Sequence, residues 1–255
     1  MNPRVGNELA IFALAVQFLT RIPVPIGDAY TPERLAAAPR YFPLVGAMVG
    51  GLCAAVFLLA QPLLGSTVST LLVLAAGMLL TGAFHEDGLA DTFDGLGAVS
   101  REQMLTVMRD SRLGTFGAAA LGLVFALKAG VLIELPSGTV ATALVVGHGL
   151  SRLSAVLVIA TSRYVRDEGT GKPTADGIDS GSLRVALLTG VVMLAWVAAT
   201  IGFSNALSVL AGLLLGHAGM RALFERRLGG YTGDTLGAVQ QTSELGVYLG
   251  LLLWL

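Results

Sequence analysis

Apolar stretches of about 20 residues, each long enough to cross a bilayer as a helix, recur along this chain at roughly 42–61, 68–84, 115–135, 140–161, 183–203 and 206–223. A short apolar tail follows at 245–255. The stretch from Leu9 to Leu19 is shorter, and Arg21 with Pro23 and Pro25 closes it, so it reads as interfacial or re-entrant. It has no small-residue cleavage site and does not read as a signal peptide. The pattern predicts an all-α fold, a polytopic membrane helical bundle with about six to eight membrane helices, interfacial or re-entrant segments included. Residues 1–255 are expected to form one membrane-embedded catalytic domain, with 1–41 as its interfacial or re-entrant N-terminal segment.

Composition agrees. The mean hydropathy is +0.75, and 13% charged residues is well below the roughly 25% of a soluble domain. The 33 glycines suit helices packed backbone to backbone. One cysteine, Cys53, excludes an intrachain disulfide framework and a thiolate metal site. Of the 16 lysines and arginines, all but Lys128 and Arg152 fall in the N-terminal segment or near 101–112, 163–184 and 221–227. The turns near 62–67, 136–139 and 204–205 carry none. The positive-inside rule therefore places the charged loops in the cytoplasm and three bare hairpin tips outside. A net charge of −1 averages over this divided molecule and supplies no argument for nucleic-acid binding.

Directly after the second apolar stretch comes His85-Glu86-Asp87-Gly88-Leu89-Ala90-Asp91-Thr92-Phe93-Asp94-Gly95. On a helix, Asp87, Asp91 and Asp94 at i, i+4 and i+7 fall within about 60° of one face. Glu86 lies nearby but about 100° away. Gly88 and Gly95 flank the acidic face and would leave it open to a bulky ligand. Like charges at this spacing oppose one another, so a counter-charge is expected, most simply a divalent metal.

The loops add phosphate chemistry. In Met108-Arg109-Asp110-Ser111-Arg112-Leu113-Gly114, Arg109 and Arg112 would share a face at i, i+3 and could clamp phosphate oxygens, with Asp110 available to the metal shell. A solvated helix end is the competing account. Ser100 and Gln103 suggest a capping box upstream. The loop Tyr164 to Pro173 superficially suggests a P-loop, but its spacing and Pro173 after Lys172 break that match; a charged lid or a plain connector remains. In the loop around Gly229-Gly230-Tyr231-Thr232-Gly233-Asp234, Asp234 could supply a metal or base ligand, or only cap the next helix. Arg152 follows His148 by one helical turn, roughly 15 Å deep. The pair could line a polar, substrate-binding cavity, with snorkelling as the alternative. For His85, hydrogen bonding beside the carboxylates is favoured over ligation.

At these residues the chain resembles the cobalamin synthase family, the adenosylcobinamide-GDP ribazoletransferases. The resemblance rests on Phe84 to Gly95, Met108 to Gly117 and Gly233-Asp234-Thr235-Leu236-Gly237-Ala238, and it runs over nearly the whole chain. It implies a Mg²⁺-dependent phosphotransferase of the cytoplasmic (inner) membrane, its site facing the cytoplasm, acting late in cobalamin biosynthesis. The reaction would join adenosylcobinamide-GDP to α-ribazole or α-ribazole 5′-phosphate and release GMP. The expected metal ligands are Glu86, Asp87, Asp91 and Asp94, with Asp91, Asp94 or Asp110 catalytic. Arg109, Arg112, His148, Arg152 and Asp234 would bind substrate. Partners would be the lipid bilayer, a second copy of the chain, and other enzymes of the late pathway. The rival classes are a CDP-alcohol phosphotransferase, whose motif wants Ala-Arg where this chain has Ala90-Asp91, and a cation or metabolite transporter.

Overall fold

The first hairpin turns on one glycine. In the computed structural model, which describes residues 3–166, 172 and 177–253, helix α3 covers Phe42–Thr81 and breaks at Gly65, where φ is 73° and ψ 172°. Those angles suit glycine, which has no Cβ to clash, and Pro62 just upstream already lacks an N–H to continue the ladder. The chain reverses there: a methyl placed on Gly77 would lie 3.7 Å from the Cys53 sulfur. In an unbroken helix these residues would stand about 36 Å apart.

Helices α1 (Pro3–Leu19) and α2 (Pro32–Ala37) precede α3, and α4 (Phe84–Leu96) and the short α5 (Arg101–Val107) follow it. Then come α6 (Thr115–Glu134), α7 (Ser137–Thr161), α8 (Ser180–Thr200), α9 (Phe203–Leu228) and α10 (Gly233–Leu252). Among the described residues, five helices, those containing the two arms of α3, α6, α7, α8 and α9, are long and apolar enough to cross a membrane. Because α3 doubles back, they supply the six passes that hydropathy predicts. The chain is a multi-pass membrane protein. The hairpin tips are Gly65, Leu135–Pro136 and Ile201–Gly202, while the arginine-bearing segments gather at the other end. There Arg40 pairs with Glu8 at 3.2 Å and ties α1 to the start of α3.

One element departs from the sequence reading. The segment taken as a short tail at 245–255 is the last part of α10, a 20-residue helix packed against α9, α4, α7 and α6. Hydropathy misses it because Gln240, Gln241, Thr242, Ser243 and Glu244 stand at its middle. Four of those five are buried in protein, where lipid is not the solvent and the hydropathy criterion does not apply.

Small residues set the spacing. Gly46 and Gly50 bring α3 onto the backbone of α7 at His148 and Leu144, and Gly212 and Gly246 touch backbone to backbone between α9 and α10. A Cβ at Gly50 would lie 2.7 Å from Cα of Val145, closer than real contacts allow, whereas one at Gly51 meets open space. Gly50→Ala is therefore expected to destabilise the bundle by about 1–3 kcal/mol. Gly51→Ala should be near neutral. Thermal unfolding of the two variants in detergent checks this, and equal melting temperatures would contradict the packing.

Candidate active site

Two consecutive left-handed residues, Gly82 at φ 68° and Ala83 at φ 56°, end the returning arm of α3 and restart the chain as α4 on a new axis. For alanine this conformation costs roughly 1–2 kcal/mol. The amide N–H of Ala83 still reaches the Met78 carbonyl at 2.9 Å, and the Ala83 carbonyl accepts the first bond of α4, from Asp87 N–H at 2.9 Å. The result tips the acidic helix so that His85, Gly88, Leu89 and Thr92 pack inward.

Gly88 and Gly95 do not open the acidic face to a ligand. A Cβ at Gly88 would press on the Asp234 backbone carbonyl at 2.6 Å, and one at Gly95 on Met108 and Met104. These glycines admit neighbouring elements, and the first brings the start of α10 against α4. Asp234 thereby joins the face that carries Asp87 and Asp91. Burial, reinforced by the charges of Asp87 and Asp234, pushes the Asp91 carboxyl up from 3.8 to about 7. Burial likewise raises Asp234, against the opposing pull of Arg166.

Asp94, the third acid of the series, is engaged differently. Its Oδ2 accepts the Gly114 N–H at 2.7 Å and its Oδ1 the Gly117 N–H at 2.8 Å. It thus satisfies two otherwise orphaned donors at the N-terminus of α6. Glu86 points elsewhere again: its Oε1 accepts from Gln241 at 3.0 Å, and among the described residues its buried Oε2 has no hydrogen-bond partner. Among the described residues, no three His, Cys, Asp or Glu side chains converge closely enough to enclose an ion on their own.

Arg166 is the site residue that sequence reasoning passed over. Val165 N–H donates to the Tyr231 carbonyl at 3.0 Å and Tyr231 N–H to the Arg163 carbonyl at 2.8 Å, so two loops far apart in sequence run side by side. This bridge delivers Arg166 Nη1 to Asp234 Oδ2 at 2.7 Å. The guanidinium is nearly buried, and among the described residues its Nε and Nη2 have no hydrogen-bond partner. Two unspent donors beside a cluster of carboxylates are suited to an anion's oxygens. Its one signal in the sequence is the Arg166-Asp167-Glu168-Gly169 loop, which the family resemblance includes without a role for Arg166. Of the expected lid, Tyr164 to Pro173, residues 167–171 and 173 lie outside the described residues. Asp234 does not cap α10, because Thr232 takes that role in a capping box with Thr235.

The segment around Asp110 differs from expectation. Helix α5 stops at Val107, so Arg109 and Arg112 share no helical face. Asp110 Oδ1 accepts the Arg112 N–H at 3.1 Å, closing a tight turn, and its carboxylate also grips the Arg112 side chain at 2.6 Å. The pair is exposed, with 87% of the Arg112 side chain in solvent. That local pairing holds Asp110 down at about 2. Upstream, Ser100 caps Gln103 N–H as expected, but Gln103 returns its bond to Val99 instead of closing the box.

Beneath the acidic face the bundle interior is polar. Lys128 Nζ donates to Glu244 Oε1 at 2.8 Å and to Gln241 Oε1 at 2.7 Å. Gln240 donates to Glu244 Oε2 at 2.6 Å, Tyr248 to Oε1 at 3.1 Å, and His148 Nδ1 stands 3.7 Å from Oε2. Arg152 is 1% exposed and does not snorkel; its Nη1 donates to the His148 carbonyl at 3.0 Å.

The sequence profile of the cobalamin-5-phosphate synthase family matches residues 11–252. A protein of Shewanella frigidimarina named adenosylcobinamide-GDP ribazoletransferase is 45% identical over 254 residues, covering 96% of this chain and 95% of its own. A Leptothrix cholodnii protein of the same name is 46% identical over 254 residues, with 96% and 95% coverage. No solved structure matches the chain.

Two predictions follow from these contacts. Lys128→Met leaves Glu244 buried without its cation and is expected to cost about 3–5 kcal/mol, with Lys128→Met/Glu244→Gln recovering part of the loss; melting in detergent measures both. For Asp91, the native state keeps a proton that the unfolded chain has already released between 3.8 and about 7. Stability of EDTA-treated protein should therefore fall as pH rises from about 4 to about 7, and Asp91→Asn should flatten that fall. A slope unchanged by the substitution would contradict it.

Proposed function

Because the chain belongs to the cobalamin-5-phosphate synthase family, we propose that it transfers the adenosylcobinamide-phosphate group of adenosylcobinamide-GDP to α-ribazole or its 5′-phosphate, with release of GMP. The single observation that carries the proposal is the juxtaposition of Asp87, Asp91 and Asp234 with the half-used guanidinium of Arg166. Phosphoryl transfer asks a protein for positioning and for charge neutralisation rather than for covalent chemistry. This arrangement offers both, and it stands at the arginine-bearing end of the bundle, which we assign to the cytoplasm.

A divalent cation fits the donor set. The donors are hard carboxylate oxygens, and Asp91 and Asp234 are held above their usual range by burial and by the charge of Asp87, a strain that a cation would relieve. Mg²⁺ binds through one or two carboxylates plus phosphate oxygens and keeps several waters, so it needs no closed protein cage. Asp87 and Asp91 would hold it, and Asp94 could contribute only alongside its two backbone bonds. Glu86, committed to Gln241, would orient that neighbour from below. When bound, the ion would supply Lewis acidity towards the phosphoryl oxygens.

The remaining roles belong to the chain's own residues. Nε and Nη2 of Arg166 hold oxygens of the diphosphate. Asp234, whose Oδ2 holds Arg166, receives the proton of the attacking ribose hydroxyl, and its raised proton affinity suits that task. Arg109 and Arg112 reach the substrate from the exposed loop, Arg112 after leaving Asp110. The buried pair Arg152 and His148 acts further inside.

The test is GMP and corrinoid product formation by purified protein in lipid, with Mg²⁺ or EDTA. Product should require the metal. Asp91→Asn, Asp234→Asn and Arg166→Ala should each lower kcat by at least about a hundredfold while the protein stays folded. Full activity of Asp91→Asn, or turnover in EDTA, would refute the assignment.

A further inference from the structure

The segment that leaves α1 takes no part in the chemistry above, and its backbone is rich in acceptors. Arg21 N–H donates to the Leu80 carbonyl at 2.7 Å, and Ile22 N–H to Thr20 Oγ1 at 3.2 Å. Pro23 and Pro25 have no N–H to give. Among the described residues, Val24 alone of these five keeps an N–H to spare, and none of the carbonyls from Arg21 to Pro25 accepts a hydrogen bond. The bond to Leu80 pins this row of carbonyls to the end of α3, beside the left-handed step into α4.

Two clefts flank the segment. One, of about 430 Å³, runs from Gln17 and Thr20 past Gly82 and Phe84 to Asp87. The other, of about 570 Å³, is lined by Gln17, Thr20 and the five residues themselves. They share Gln17, Thr20 and the exposed Arg21, so they form one open trough that ends at the acidic helix. Each is of a size that binds small molecules. We infer that this trough docks the corrinoid part of the donor substrate: primary carboxamides on the rim of the macrocycle donate N–H bonds to the carbonyls of residues 21–25, and the phosphate-bearing arm runs along the trough to Asp87. This inference rests on the function proposed above.

Donor chemistry sorts the parts of the two substrates. The diphosphate has Arg166, on the flank of the acidic helix that meets α10, whereas the trough lies on the flank that meets α1. An anion gains nothing from a row of carbonyl oxygens, which only accept. α-Ribazole carries hydroxyls but no N–H, and its base is apolar. A corrinoid brings several N–H donors on a broad, partly apolar frame, for which Phe84, Ile22 and Val24 supply apolar surface. Its breadth suits an open trough rather than an enclosed pocket. Each carbonyl that exchanges water for an amide N–H gains little, but several exchanges together fix the orientation of the ring.

Gln17 is exposed where the clefts meet, so Gln17→Trp narrows the trough without entering the core. It is expected to raise KM for adenosylcobinamide-GDP by at least about tenfold and to leave KM for α-ribazole within about twofold. Equilibrium dialysis of adenosylcobinamide, which is coloured and carries no nucleotide, reads the dock without turnover. The protein is held in phosphatidylcholine nanodiscs, whose lipid has no N–H donor, and empty nanodiscs are the blank. A corrinoid of the same frame with its rim amides replaced by methyl esters should bind wild-type protein at least about tenfold more weakly, the worth of one or two hydrogen bonds. That comparison needs no variant, so it decides the matter even if Gln17→Trp does not fold. Equal binding of the amide and ester corrinoids would overturn the inference, as would a rise in KM confined to α-ribazole in Gln17→Trp. Wild-type protein that prefers the amide corrinoid yet forms no product would sink the proposed reaction and leave the dock standing. Product formation without any amide preference would do the reverse.

Discussion

A charge inside a membrane protein has to find its counter-charge inside the same protein, and here that constraint is met at Lys128 and Glu244, 2.8 Å apart and each 3% exposed. The pair draws α6 and α10 together, and Gln240, Gln241 and Tyr248 fill the remaining donor and acceptor positions around it. With α10 held at the centre, its first turn comes up under α4. Asp234 then stands next to the helix that carries Asp87 and Asp91. The polar interior and the acidic surface are joined by the first half of one helix.

The acidic face is shaped by competition among its own carboxylates. Asp94 is consumed by the N-terminus of α6, and Glu86 by Gln241. Asp87, Asp91 and Asp234 remain, close enough that ionising all three is resisted. Arg166 answers part of that charge and keeps two donors in reserve. An anionic substrate and a cation can then enter together, each neutralising what the other or the protein leaves unbalanced.

Glycine serves this arrangement in two distinct ways. At Gly65 and Gly82 it supplies left-handed backbone, first to reverse α3 and then to tip α4. At Gly88 its missing side chain lets Asp234 come within reach of the acidic helix. The sequence reading assigned that absence to a ligand. It belongs to a neighbouring helix, and nothing in the local pattern distinguishes the two uses.

Local rules made much of this protein legible from its residues alone. Six apolar passes, three bare tips, a charged end and the i, i+4, i+7 acidic face all depend on composition and helical period, which neighbouring residues determine. So did the family resemblance, carried by three short motifs. The centrality of α10 was hidden because its polarity is satisfied by Lys128, Ser151 and Glu86, residues far away in the chain. Arg166 was hidden because a bridge between two loops, and no motif, brings it to Asp234. The roles of Asp94 and Asp110 were likewise decided by which donors folding set before each carboxylate. Period and hydropathy are properties of a segment, whereas the partner that satisfies a buried or crowded charge is a property of the packed bundle, and only the tertiary structure could assign it.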